Sequence, residues 1–377
     1  MVSTGGRTRH LASTSHPQFQ PNPGRRRTRN YRSSETAMIK TALGLPLRPK
    51  PWAKVWEGLS ASRPMLYIPV VLITALVSYA YWLRTSSIFS CQADGYSSDR
   101  YLAYCGGTHY ADYEHGAFWF DLEPSARIFA RNADVLFIGN SRIQVALSTA
   151  ETDNWFAAAS ARYYLLGFSY STNVIFTDKL LRMIRPRARA YVINVDDFFE
   201  RYETPPVKTI FHDPEAGRRY EDKRFWQRLH EPICKTFAAL CGVNPVTYRS
   251  RETGAYTKRT SPPDLTPAPV SYDQVIDQQV VDGYTVAAIY FLSQLPVERR
   301  CIILTNVPTV DTKMDVIKTV ATNLGMNLVV PQIPGGLRTY DGSHLDKSSA
   351  ELWSRGFFQL AGSGIRSCLG RQSAVQP

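Results

Sequence analysis

The first 90 residues of this 377-residue chain contain no cysteine, and the first 34 contain no acidic residue. No CxxC pair or clustered Cys/His spacing occurs, so nothing in the sequence marks a zinc ribbon or zinc finger. No internal repeat is visible, which argues against solenoids and propellers. No charged residue falls between positions 64 and 83. What is present is ordinary for a folded protein: 44% of residues are hydrophobic and 12% aromatic. That composition rules out wholesale disorder and collagen, and supplies a core for one domain of about 250 residues.

The formal charge of +12 suggests a nucleic-acid partner until it is located. Residues 1–63 hold twelve Lys/Arg against two acids, Glu35 and Glu57, a net +10. The other residues carry only +2. The arm contains a GRRRTR run at 24–29 amid Ser, Thr, Gln, Pro and Gly, and has few apolar residues to bury. It is expected to be a disordered cytosolic arm. An organelle transit peptide would show an amphipathic helical period, and a nucleic-acid arm would interleave aromatics; neither pattern is present. No nucleic-acid partner is expected.

Positions 64–83 read PMLYIPVVLITALVSYAYWL, bracketed by Arg63 and Arg84. At about 1.5 Å per residue this run spans ~30 Å, the thickness of a hydrocarbon core. Tyr79, Tyr81 and Trp82 sit at one end, where interfacial aromatics belong. Residues 64–84 are therefore expected to form one transmembrane helix. The basic arm before it keeps the N-terminus cytosolic and places the remainder outside, in the periplasm if the source is bacterial. All six cysteines follow the span, as an oxidising compartment would favour. Cys91–Cys105, Cys234–Cys241 and Cys301–Cys368 are the pairings expected first, out of fifteen possible.

After a neck at 85–125, apolar runs at 133–138, 161–166, 190–195, 301–307 and 326–330 read as strands. Helical patterns lie at 173–184, 280–295, 313–324 and 347–360. This alternation predicts an α/β domain over 126–370, a parallel sheet with helices on both faces. The pattern breaks at about 198–272, which is read as an insertion.

Ligands of open parallel sheets bind beyond the carboxyl ends of the strands. There the sequence places Gly139-Asn140-Ser141-Arg142, then Gly167-Phe168-Ser169, then Asp196-Asp197, and, before the last helix, Asp341-Gly342-Ser343-His344. A serine needs a base within hydrogen-bond reach to act as nucleophile. His344 can be that base for Ser141, and Asp341 can orient its ring. The competing readings are structural: a turn serine, a surface histidine, Asp-Gly turn chemistry and an ion pair for Arg142. Asp346 is a candidate N-cap for the last helix. A second DxxH, Asp112 to His115, precedes the serine.

The segments VLFIGNSR and DGSHL resemble the first and last blocks of the SGNH (GDSL-like) hydrolase superfamily, over roughly residues 130–362 with the middle third unmatched. The resemblance implies a three-layer, flavodoxin-like parallel sheet. It also implies a Ser141–Asp341–His344 triad with no cofactor or metal. By the same pattern the backbone N–H groups of Ser141 and Gly167 form an oxyanion hole. The third donor is normally an asparagine. Its place falls to Asp196, with Asn194 two residues earlier, and the choice stays open. The first block reads Gly-Asn-Ser rather than the commoner Gly-Asp-Ser.

Members of that superfamily tethered by one N-terminal helix commonly add or remove acetyl groups on cell-surface polysaccharides, often with a multi-spanning membrane acyl donor. The resemblance thus implies an extracytoplasmic O-acetyltransferase or acetylesterase. Hydrolysis of small lipidic or aryl esters is a narrower alternative. A catalytically silent glycan-binding or scaffold module is the alternative of a different class. Tyr220, Phe225, Trp226, Tyr248 and Tyr256 of the insertion are candidates for sugar stacking.

Overall fold

A computed structural model of the chain describes residues 67–259, 267–272 and 275–370. The basic arm 1–63 lies outside the described residues. The strands are β1 (Arg100–Cys105), β2 (Val135–Asn140), β3 (Tyr163–Phe168), β4 (Ala190–Asn194), β5 (Val246–Ser250), β6 (Tyr256–Arg259), β7 (Ala268–Pro269), β8 (Ile302–Thr305), β9 (Leu328–Val329) and β10 (Arg338–Thr339). The helices are α1 (Tyr67–Ser86), α2 (Tyr113–Trp119), α3 (Pro124–Asn132), α4 (Ser141–Leu147), α5 (Ala150–Ala158), α6 (Val174–Ile184), α7 (Pro205–His212), α8 (Ala216–Thr236), α9 (Gln278–Ser293), α10 (Met314–Asn323) and α11 (Lys347–Leu369).

α1 is a 20-residue helix, long and apolar enough to cross a membrane, and none of its residues is buried against protein. Such a helix is costly in water unless another apolar phase covers it. It ends where the Ser87 hydroxyl donates back to the Leu83 carbonyl and accepts from the Phe89 N–H, opening a short 3-10 turn.

The domain is α/β, with a five-stranded all-parallel sheet in the order β3-β2-β4-β8-β9. Strand side chains alternate faces. Val135 and Phe137 pack with Trp353, Phe357 and Ile365 of α11 and with α4 and α5. Leu136 and Ile138 face the opposite way, into a core with α6, α9 and α10. Both faces are covered, which is why these strands read as unbroken apolar runs. The three disulfides are Cys91–Cys105, Cys234–Cys241 and Cys301–Cys368, the pairings expected from the sequence.

Residues 85–125 do not stand apart as a neck. β1 pairs antiparallel with β5, and β5 with β6, so this segment and the insertion share one three-stranded sheet. Ile88, Phe89, Leu102, Val246 and Tyr248 form its small core together with two of the disulfides.

Candidate active site

β2 delivers the serine. Gly139, near its end, has room for no side chain: a Cβ there would lie 2.9 Å from Ile143 and 3.0 Å from Asn194. Asn140 then leaves the strand and caps α4, its Oδ1 accepting from the Arg142 N–H at 2.9 Å. Ser141 is thus the first residue of α4, and its N–H is among the donors that no helical carbonyl can satisfy.

A second loop delivers the histidine. Asp341 follows β10, and Gly342 turns the chain at φ +83°, a left-handed conformation that favours glycine. The Gly342 N–H donates to Thr339 Oγ1, and its carbonyl accepts from the Val310 N–H. His344 Nε2 lies 2.8 Å from Ser141 Oγ, across 203 residues of sequence. His344 Nδ1 lies 2.7 Å from Asp341 Oδ2. The other Asp341 oxygen accepts from the backbone N–H groups of Ser343 and His344 at 3.0 and 2.7 Å. Tyr340 stacks on the imidazole at 5.6 Å between ring centroids. Partial burial pushes the Asp341 carboxyl up, but the bonds from the His344 ring and the two backbone N–H groups prevail and hold it at about 2. An ionised Asp341 keeps the Nδ1 proton and leaves Nε2 to accept from the serine hydroxyl.

The expected oxyanion donors are mostly committed elsewhere. The Gly167 N–H donates to Gln144 Oε1 at 3.1 Å. Its lack of a side chain has a packing reason, since a Cβ there would meet the Asn140 carbonyl at 2.4 Å. Asn194 is fully buried; it donates to Asp196 Oδ2 and accepts from the Val307 N–H. Asp196 is no donor either, because its carboxylate collects bonds from Asn140, Asn194, Arg142 and the Phe198 N–H. The Ser141 N–H, in the first turn of α4, is the donor of this set that no helical carbonyl satisfies. The commitments of Gly167 and Asn194 depend on a glutamine side chain and a strand neighbour, which no single-sequence pattern displays.

Arg142 is an ion-pair residue. It donates to Asp196 at 3.2 Å and to Asp197 at 3.0 Å, while its Nε reaches Ser343 Oγ at 3.1 Å, tying the serine loop to the histidine loop. Burial and the neighbouring Asp196 charge push the Asp197 carboxyl up to about 7, with Arg142 opposing them. Ionised Asp197 therefore costs stability. That cost is absent below its unfolded pKa of ~3.9, grows through the interval and is complete above about 7. Asp197→Asn keeps the Oδ1 acceptor. It is expected to raise the melting temperature at pH 8 and to have little effect near pH 4; equal shifts at both pH values would contradict this reading.

The second DxxH is structural. Asp112 accepts from Tyr220 and Lys223, and Glu114 pairs with Arg249 in the interior. His115 is buried against Phe168 and Phe176. Asp346 caps α11 by accepting from the Ser349 N–H at 2.8 Å. The suggested stacking aromatics largely serve the core. Tyr220 and Tyr248 are 1% and 0% exposed, and Tyr256 bonds to Glu114. Trp226 packs against the small core, while Phe225 is exposed. Tyr202 and Tyr272 are exposed, and neither was singled out by sequence. Among the described residues, one group of side chains has metal-ligand spacing: His230 with Cys234 and Cys241. Its two sulfurs form a disulfide and offer no thiolate.

Compared with family models, curated proteins and solved structures, the chain matches none of them. Its function is therefore read from geometry and from the resemblance of its two motif blocks.

Proposed function

We propose that this chain is a membrane-anchored serine acyl-transfer enzyme whose domain lies outside the cytosol. In this reading it moves acetyl groups onto or off a cell-surface or secreted polysaccharide. The observation that carries it is the hydrogen-bonded line Asp341–His344–Ser141, assembled from loops 203 residues apart. Ser141 Oγ attacks the acyl carbonyl while His344 Nε2 takes its proton. The tetrahedral oxyanion collapses to an acyl-serine, and the leaving alcohol receives the proton from His344. Water or a sugar hydroxyl then repeats the sequence in reverse, giving hydrolysis or transfer. The α1 helix and the basic arm support the topology, and the SGNH resemblance supports the acetyl and polysaccharide assignment, including a multi-spanning membrane partner as donor.

A catalytically silent glycan-binding module is the second reading. It is favoured by the engagement of Gly167, Asn194 and Asp196 in internal bonds. One experiment separates them: treating spheroplasts that carry the full chain with a membrane-impermeant fluorophosphonate. Labelling that Ser141→Ala abolishes is expected. Absence of labelling in intact spheroplasts, with labelling after lysis, would overturn the topology. Absence in both would leave the silent module.

A further inference from the structure

A second apolar feature lies at the end of α1. Between Lys235, in the last turn of α8, and Arg249 of β5 no residue is charged, and the segment opens with Thr236-Phe237-Ala238-Ala239-Leu240-Cys241-Gly242-Val243. Phe237 is 59% exposed and Val243 74%, more than any large apolar side chain of α1. Ala238 and Ala239 are exposed beside them. The Cys234–Cys241 disulfide closes the segment into a turn. Exposed apolar side chains are ordinary when scattered singly, but these share one tight turn.

The turn is clamped to the residues that leave α1. The Gly242 N–H donates to the Phe89 carbonyl at 2.7 Å, and the Asn244 N–H to that of Ser90 at 3.0 Å. Arg84, in the last turn of α1, donates to the Ala239 carbonyl. The close approach at Gly242 leaves no room for a side chain: a Cβ there would lie 2.3 Å from the Ser90 carbonyl oxygen. Phe89 is three residues beyond Ser86, the end of α1. At ~3.6 Å per residue or less, the clamp sits within about 11 Å of the helix end. The turn also satisfies much of its own backbone. The N–H groups of Phe237, Leu240 and Cys241 donate to the carbonyls of Ile233, Phe237 and Ala238. A segment so bonded can leave bulk water at a reduced polar cost.

We propose that this turn is a second membrane contact, with Phe237 and Val243 seated in the interfacial layer of the bilayer that α1 crosses. The assignment rests on reading α1 as a transmembrane helix, and not on the acyl-transfer chemistry. Apolar side chains of interfacial segments bury about 5–10 Å into the boundary between headgroups and acyl chains. A turn held beside the end of a span reaches that layer. Lipid suits it better than protein: a stable protein interface takes roughly 20–30 residues a side, and residues 236–243 are only eight. A single helix leaves a domain free to turn about the helix axis, whereas two contacts fix its tilt. The domain, and Ser141 with it, is thereby held in one orientation to the membrane.

The test uses the full chain in phosphatidylcholine–phosphatidylglycerol vesicles containing a phospholipid with a diazirine on its acyl chain near the glycerol. After illumination and reduction, trypsin cuts after Lys235 and Arg249 and releases 236–249 as one peptide. Lipid adducts are expected on the peptides of α1 and on 236–249, but not on 143–162, which carries α5. Phe237→Asp with Val243→Asp, both at exposed positions, should lower the adducts on 236–249 about tenfold relative to those on α1. Adducts on α1 but none on 236–249 would overturn the contact, and are what a protein partner or a second copy covering the turn would give. Equal adducts on 143–162, or a yield unchanged in the double variant, would overturn it too. Absence of adducts on both α1 and 236–249 would instead overturn the reading of α1 as a span, and the contact with it.

Discussion

Ser141→Ala is expected to lower turnover of p-nitrophenyl acetate by a factor on the order of 10⁴ or more. The substitution removes one oxygen. His344 Nε2 loses the atom 2.8 Å away from which it takes its proton, and no nucleophile remains for the acyl group. Stability should barely change, since Asn140 rather than Ser141 caps α4. Asp341→Asn should approach the same loss by another route. An amide at this position can donate to Nδ1, which moves the ring proton to Nε2 and turns the base into a donor. Retention of most activity by Ser141→Ala, measured by initial rates with matched circular dichroism, would remove the nucleophile from the scheme.

The second large effect is structural. Glu114 and Arg249 are both 0% exposed and pair at 2.9 Å. Glu114 also accepts from Tyr256 OH and from the Ser169 N–H, and Arg249 donates to the Leu165 carbonyl. The Arg249 guanidinium lies 4.6 Å from the Phe168 ring centroid and 5.0 Å from that of Phe118. Glu114→Gln or Arg249→Met alone would strand a charge or its donors in the interior, at about 3–5 kcal/mol. For a domain of this size that corresponds to a melting-temperature drop of roughly 10 °C. A double substitution to apolar residues should recover part of the loss, because no buried charge is left unpaired. Single variants that melt within ~2 °C of the wild type would show that the pair contributes little. The same bonds hold Ser169, at the carboxyl end of β3 beside the serine strand, so single variants should also lose activity before they unfold.

The central sheet was legible because its signal is local. Each buried parallel strand is a short apolar run, and each observed strand falls inside or within two residues of its expected span. The Ser141, Asp341 and His344 cluster was legible for the same reason: each motif is set by turn chemistry within four or five residues. What escaped depends on distance. The Gly167 N–H is claimed by Gln144, and Asn194 by Val307, neither of which its own segment announces. α8 was hidden within the insertion, because AGRRYEDKRFWQRLHEPICKT is strongly polar and carries Pro232 inside. Its buried positions include Tyr220, Gln227, His230 and Cys234, a stripe too sparse in apolar residues to show a period. The aromatics of the insertion looked like binding residues because composition cannot tell a ring in a small core from one on a surface.

The pairing of β1 with β5 sets an order of assembly. Arg100 meets Ser250, so the strand that follows the apolar helix α1 must wait for a partner synthesised much later. Meanwhile Cys91 and Cys105, only 14 residues apart, can close on their own, as can Cys234 and Cys241, 7 apart. Cys301–Cys368 spans 67 residues and joins the start of β8 to the end of α11. The stretch from Asp341 to Cys368 therefore carries the aspartate and histidine that line up on Ser141, and the helix and cysteine that cover one face of the sheet. A chain that stops short of residue 340 can be oxidised in two places and partly folded, yet Ser141 still lacks its hydrogen-bond partner His344.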